Sequence, residues 1–169
     1  IKLNTAISNV DKAIKGKKKQ PPWVEGLTIK ELNRAINKGL AKTKEKELYL
    51  RNHLWWAANE EEIRISELMQ IYQWREENRD ASEIRIPVGS KIEELLHTNQ
   101  ILFHKLWEKS GKGYKKLEGL SKKAASIEKI KHENLIGLEA LLDETKPEDR
   151  IMKAEIKRQS GDFKEAVEY

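Results

Sequence analysis

An all-α fold, with negligible strand, is what this chain predicts, and three observations carry that expectation. Proline and glycine are scarce, at four and nine in 169 residues, too few for a turn-rich β sandwich. The pattern T/S-x-x-E, the sequence mark of a helix start, occurs at Thr28–Glu31, Ser90–Glu93 and Thr145–Glu148. Apolar residues then recur at helical spacing behind these starts.

From the beginning, DKAIKGKKKQPPW carries Lys12, Lys15, Lys17, Lys18 and Lys19 ahead of Pro21 and Pro22. Like charges in such a run repel and stay solvated, and two prolines stop a helix, so residues 1–22 are expected to form a basic N-terminal helix or mobile arm and a linker. Residues 23–169 are then one helical domain. At Thr28 the hydroxyl and the Glu31 carboxylate are spaced to satisfy each other's orphan backbone N–H groups, with Leu27 and Leu32 placed as a hydrophobic staple.

Leu50, Leu54 and Ala58 form a row beside Trp55, and Leu68, Ile71, Tyr72 and Trp74 mark a helix ending near Asn78. The stretch from Arg79 to Gly89 fits no helix; EIRIPV within it is at most a short edge strand, because Pro87 cannot donate to a ladder. After Ser90 comes a stripe of Ile92, Leu95, Leu96, Leu102, Phe103, Leu106 and Trp107, which predicts one continuous helix from about 91 to 109. A second stripe through Ile127, Ile130, Leu135, Leu138, Leu141 and Leu142 predicts a helix from about 122 to 143. Thr145 and Glu148 bracket Pro147, whose missing N–H costs nothing in a first helical turn.

At the end, Ala154, Gly161, Phe163 and Ala166 are spaced 7, 2 and 3 apart, and QSGDFKEAVEY follows a helix-like run. These letters resemble the turn and second helix of a tetratricopeptide repeat, a pair of antiparallel helices with small residues at their crossing. The resemblance implies a hairpin over 144–169, with Ala154 facing Ala166 and Phe163 packed across the turn. Lys153 and Lys157 depart from it, standing where a large apolar and an aromatic residue are usual. YLRNHLWWAANE and NLIGLEALLDETKPEDRIMKAEI are also similar to bacterial proteins of unknown function that end in such a repeat. A lone half-repeat is not a solenoid, which needs about three units.

Composition excludes several functions. Without cysteine there is no disulfide, thiolate metal site or thiol nucleophile, which suits a reducing compartment, and a cytoplasmic location is expected. No apolar run reaches membrane-spanning length, and IKLNTAISNV lacks the layout of a signal peptide. The absence of an initial Met and the halt within a helical pattern suggest a piece of a longer chain.

His97 and His104, seven apart, form a row with Glu93 and Glu108 on one flank of the predicted helix. The Glu-x-x-His spacing of a bundle metal site is missing, so this row is read as solvated. His53 and His132 read as surface or hydrogen-bonded core histidines. SGKGYKK lacks the spacing and the preceding strand of a phosphate-binding loop. With no nucleophile motif and no evident carboxylate pair, a non-enzymatic protein without metal or cofactor is expected.

Two binding surfaces remain. Trp55 and Trp56 point about 100° apart on a helix, so both are buried only if that helix is covered on more than one side. An exposed member of the pair would anchor a protein partner, and that is the leading expectation. From His104 to Lys131 nine lysines face three glutamates, whereas Glu60 to Asp80 holds seven acids against three arginines. Lys112, Lys115 and Lys116 with Trp107 and Tyr114 therefore form the alternative, a nucleic-acid surface that holds phosphates and stacks bases.

Overall fold

A computed structural model describes residues 27–81, 83–107 and 113–169. The basic arm 12–22 and Lys112 lie outside the described residues, as does Glu108 of the histidine row. The described residues form seven helices and no strand. In chain order these are α1 (Ile29–Asn37), α2 (Lys44–Glu77), α3 (Lys91–Thr98), α4 (Phe103–Trp107), α5 (Gly113–Glu139), α6 (Pro147–Gln159) and α7 (Phe163–Ala166). The stretch 84–87 is irregular rather than a strand. No described helix is long and apolar enough to cross a membrane.

Local chemistry explains most boundaries. The Thr28 hydroxyl accepts from the Glu31 N–H and the Glu31 carboxylate accepts from the Thr28 N–H at 2.9 Å, a complete capping box. At Ser90 half of the box forms. Its hydroxyl accepts from Glu93 N–H at 3.2 Å, while the Glu93 carboxylate reaches one residue further back, to Gly89 N–H at 2.6 Å. The third box does not form, which corrects the expectation for Thr145 and Glu148. The Thr145 hydroxyl and N–H both donate to Asp143 Oδ1, at 2.7 and 3.0 Å, so the helix starts one residue later, with Lys146 as an N-cap that makes no side-chain bond. Pro147 occupies the first turn as expected.

Three helices end in the same way. Gly39, Gln100 and Gly161 are left-handed, at φ 58°, 52° and 85°. In each case the next residue's N–H reaches back five residues: Leu40 to the Ala35 carbonyl, Ile101 to Leu96, Asp162 to Lys157. This is the Schellman arrangement. At Gln100 it corrects the prediction of one helix over 91–109, because the chain turns there and resumes as α4. It also removes the histidine row, since His97 ends α3 and His104 belongs to α4.

The chain divides into two compact units. The first comprises Ile1–Ala58, as far as described, with Lys129–Tyr169; the second is Asn59–Glu128. In the first unit Leu32, Ala35, Leu50 and Leu54 make one core, joined by Leu27, Leu40 and Ile130. A second core holds Trp55, Leu135, Leu138, Leu142 and Ile156. Asn134, almost fully buried, donates from its side chain to the Arg51 carbonyl at 2.8 Å and ties α5 to α2. In the second unit Ile71, Leu95, Leu96 and Leu106 form the core, with Ile86, Ile101, Trp74 and Trp107 against it.

Candidate interaction surfaces

The turn at Gln100 builds an apolar groove in the second unit. Asn99 closes α3 twice over: its side-chain amide donates to the Leu95 carbonyl at 3.0 Å and to Glu67 of α2, also at 3.0 Å. Ile101 then drops into the core, while Leu102 and Phe103 are turned outward, 52% and 37% exposed. Phe103 is held by Trp107, ring centres 4.8 Å apart, and Trp107 meets Trp74 edge-on at 5.6 Å.

The resulting groove, of about 420 Å³, is lined by Ile86, Leu96, Ile101, Leu102 and Phe103, with Glu93, His97 and Gln100 as its polar members. That volume lies within the range of small-ligand sites, and the lining has their make-up, mostly apolar with a few polar groups. Beyond Ile86, Val88 is almost wholly exposed. A second cleft of about 450 Å³ runs past Glu62, Ile63, Ser66, Glu67, Gln70, Lys91 and Leu95.

The sequence-predicted residues separate into distinct places. Trp55 is buried and donates from its indole N–H to Gln159 Oε1 at 3.0 Å; Gln159 in turn donates to Glu155 at 2.7 Å. Arg158 beside Glu155 holds that carboxyl down at about 2. Trp56 points the other way, 66% exposed. The helix is thus covered on one side, and one tryptophan of the pair is left for solvent or a partner.

Trp107 is half-buried against two aromatic neighbours, an arrangement that spends its ring edges on packing. Tyr114 lies in the first turn of α5. Lys115 and Lys116 are exposed on the same helix. Further along, the basic row is partly neutralised: Lys122 pairs with Glu118 at 2.6 Å, and Lys123 pairs with Glu61 of α2. Arg64 first and Lys123 second hold the Glu61 carboxyl down to about 2.

In the segment 144–169, Gly161 makes a left-handed turn, and Ala154 and Ala166 are both half-buried. Phe163 corrects the expectation of packing across the turn. It is 66% exposed, and α7 buries no residue at all. The two lysines that depart from the repeat pattern are inside instead. Lys153, 8% exposed, pairs with Glu144 at 2.6 Å and lies over the Tyr169 ring. Lys157 sits between Glu139 at 3.0 Å and Glu165 at 2.7 Å, and both carboxylates raise its pKa.

Among the described residues no group of three or more His, Asp or Glu is placed to hold a metal ion. His53 donates from Nδ1–H to the Tyr49 carbonyl at 2.9 Å, and its ring lies tilted against the Tyr49 ring, centres 4.2 Å apart. Sequence reasoning missed the groove, although one signal for it was present. Ile101, Leu102 and Phe103 are consecutive, and three consecutive apolar residues cannot share one face of a helix.

Comparison with known proteins finds no matching family model, no matching curated protein and no matching solved structure.

Proposed function

We propose that this chain is a non-enzymatic helical module that binds a segment of another protein, and that the groove over the α3–α4 turn receives apolar side chains of that segment. The observation that carries the reading is the outward placement of Leu102 and Phe103 beside Ile86, above a floor of Leu96 and Ile101. Exposing a leucine and a phenylalanine side by side is unfavourable in water, and a partner's apolar anchor relieves it. Trp56 offers a second, separate anchor of the type enriched at protein interfaces. The hairpin closed by Gly161 is the repeat-like element of this reading, since stacked helix pairs are a common frame for such surfaces.

The nucleic-acid alternative rests on Lys115 and Lys116. The pairing of Lys122 and Lys123 with acids weakens it, because phosphates would compete with carboxylates already in place.

A random-peptide display selection on the whole chain tests the proposal. Selected peptides should carry aromatic or aliphatic anchors, lose at least tenfold in affinity on Leu102→Lys, and bind the Ile151→Lys protein as before. Ile151 is an exposed control on α6. No selectable peptide, or binding indifferent to Leu102→Lys, would remove the groove from consideration. Salt-sensitive retention of labelled RNA or DNA, lost when Lys115 and Lys116 become Ala, would favour the alternative.

A further inference from the structure

The segment after Gly161 is held in a way unlike any other helix described here. Every other described helix contributes at least one buried apolar residue to a core. In contrast, α7 contributes none, and the two large apolar residues of the segment, Phe163 in α7 and Val167 just after it, are 66% and 85% exposed.

Beside the half-buried Ala166 and Tyr169, the side-chain contacts that tie the segment to α6 are charged ones. Lys157 bonds Glu165 of α7 at 2.7 Å while also bonding Glu139 at the end of α5 at 3.0 Å. One helical turn earlier, Lys153 lies under the Tyr169 ring, 5.7 Å from its centre, and bonds Glu144 at 2.6 Å. The Tyr169 hydroxyl completes the set by donating to the same Glu144 carboxylate at 3.5 Å. Burial and hydrogen bonding place the two lysines on the inner side, while their partners Glu165 and Glu144 remain 57% and 60% exposed to water.

Exposed carboxylates exchange readily between a protein cation and solvent, and such pairs weaken as salt screens them. A helix of four residues has no stability of its own. The contacts that fix its place are therefore the ones that salt or a competing carboxylate can remove.

We infer that residues 162–169 form an electrostatic latch on α6, closed by Lys157–Glu165 and Lys153–Tyr169 and opened when those contacts are screened or displaced, with the core beneath left intact. Opening frees the place of Glu165 beside Lys157. It leaves Ile156, which is packed with Leu138 and Leu142, undisturbed.

Backbone chemical shifts and amide exchange on the isotope-labelled chain test this directly. At low salt, residues 163–166 should show helical shifts, and Tyr169 should show an NOE to Lys153. At about 1 M salt, where the screening length is about 3 Å, the shifts of 163–169 should move to coil values and the NOE should vanish. The exchange rates of Leu138 and Ile156 should change less than twofold. Lys157→Met should produce the open state at low salt, and Lys157→Arg should restore the closed one. If 163–166 keep helical shifts both at 1 M salt and in Lys157→Met, the latch is wrong. It is equally overturned if these residues have coil shifts at low salt. Should Lys157→Met unfold the chain, the salt titration of the unmodified protein decides alone.

Discussion

Gln100 is the one described non-glycine residue with positive φ, at 52°. Its Cβ crowds the backbone in this region, a strain that glycine at the equivalent turns Gly39 and Gly161 avoids. Gln100→Gly should therefore stabilise the protein by about 0.5–1 kcal/mol, after the larger chain entropy of glycine is counted. A higher denaturation midpoint with unchanged slope would record it; a lower midpoint would mean the Gln100 side chain contributes more than its strain costs.

Gly137 presents the opposite case. A Cβ there would lie 2.2 Å from the Arg51 guanidinium, which pairs with Glu47 at 2.8 Å. The obstacle is the far end of a flexible side chain. Alanine gains about 0.5–1 kcal/mol of helix preference over glycine, and the i,i+4 ion pair it displaces contributes about 0.3–0.5 kcal/mol. Gly137→Ala should thus change stability by less than about 0.5 kcal/mol in the native background and stabilise by about 0.5–1 kcal/mol once Arg51 is Ala. Equal effects in both backgrounds would show that the guanidinium does not cover Gly137.

Between elements, charge and apolar burial divide the work unevenly. Ile156 on α6 is 1% exposed among Leu135, Leu138 and Trp55, so Ile156→Ala should cost about 2–5 kcal/mol. Ala166 on α7 had been expected to sit at a tight helix crossing, where a leucine would overpack. Since α7 has no fully buried residue and Ala166 is only half-buried, Ala166→Leu should instead cost less than about 1 kcal/mol. Thermal unfolding of the two variants separates these outcomes clearly.

The pair joining α5 to α2 adds a pH dependence. Glu61 has its carboxyl lowered from 4.5 to about 2, chiefly by Arg64 and then by Lys123. A carboxyl depressed in the folded state stabilises fully above its unfolded pKa, and that stabilisation is lost as pH falls through the folded value. Stability lost by Glu61→Gln should therefore be constant above about pH 4.5 and shrink between about 4.5 and 2. A gap that stays constant down to the lower limit would remove the ionic contribution assigned to Glu61.

Across the whole molecule, circular dichroism should be helical with negligible β signal, since seven helices and no strand make up the described residues. Much of this was legible in the letters. Thr28 and Ser90 are helix starts because their hydroxyls bond groups three residues away, and Gly161 is a stop because it takes a conformation other residues resist. The irregular stretch before Ser90 follows from Pro87 and the turn at Gly89. At Thr145 prediction failed because a second local bond competed: Asp143 took the hydroxyl intended for the helix.

The sequence by itself thus determined the fold class, the helix starts at Ile29 and Lys91, the stops near Glu77 and Gln159, and the uneven charge, because these depend on neighbours within a turn or two. The helix expected from about 122, by contrast, begins at Gly113. Only the tertiary structure decided which tryptophan of the adjacent pair is inside, since Trp55 finds Gln159 more than a hundred residues later. It also decided that Lys153 and Lys157 are covered, and that the predicted long helix breaks at Gln100. There Asn99 bonds Glu67 on another helix and Ile101 gains burial against Ile71 and Leu106. Helical periodicity registers spacing along one chain segment. It carries no term for a partner that folding brings from elsewhere, and the groove, the latch and the buried tryptophan all depend on such partners.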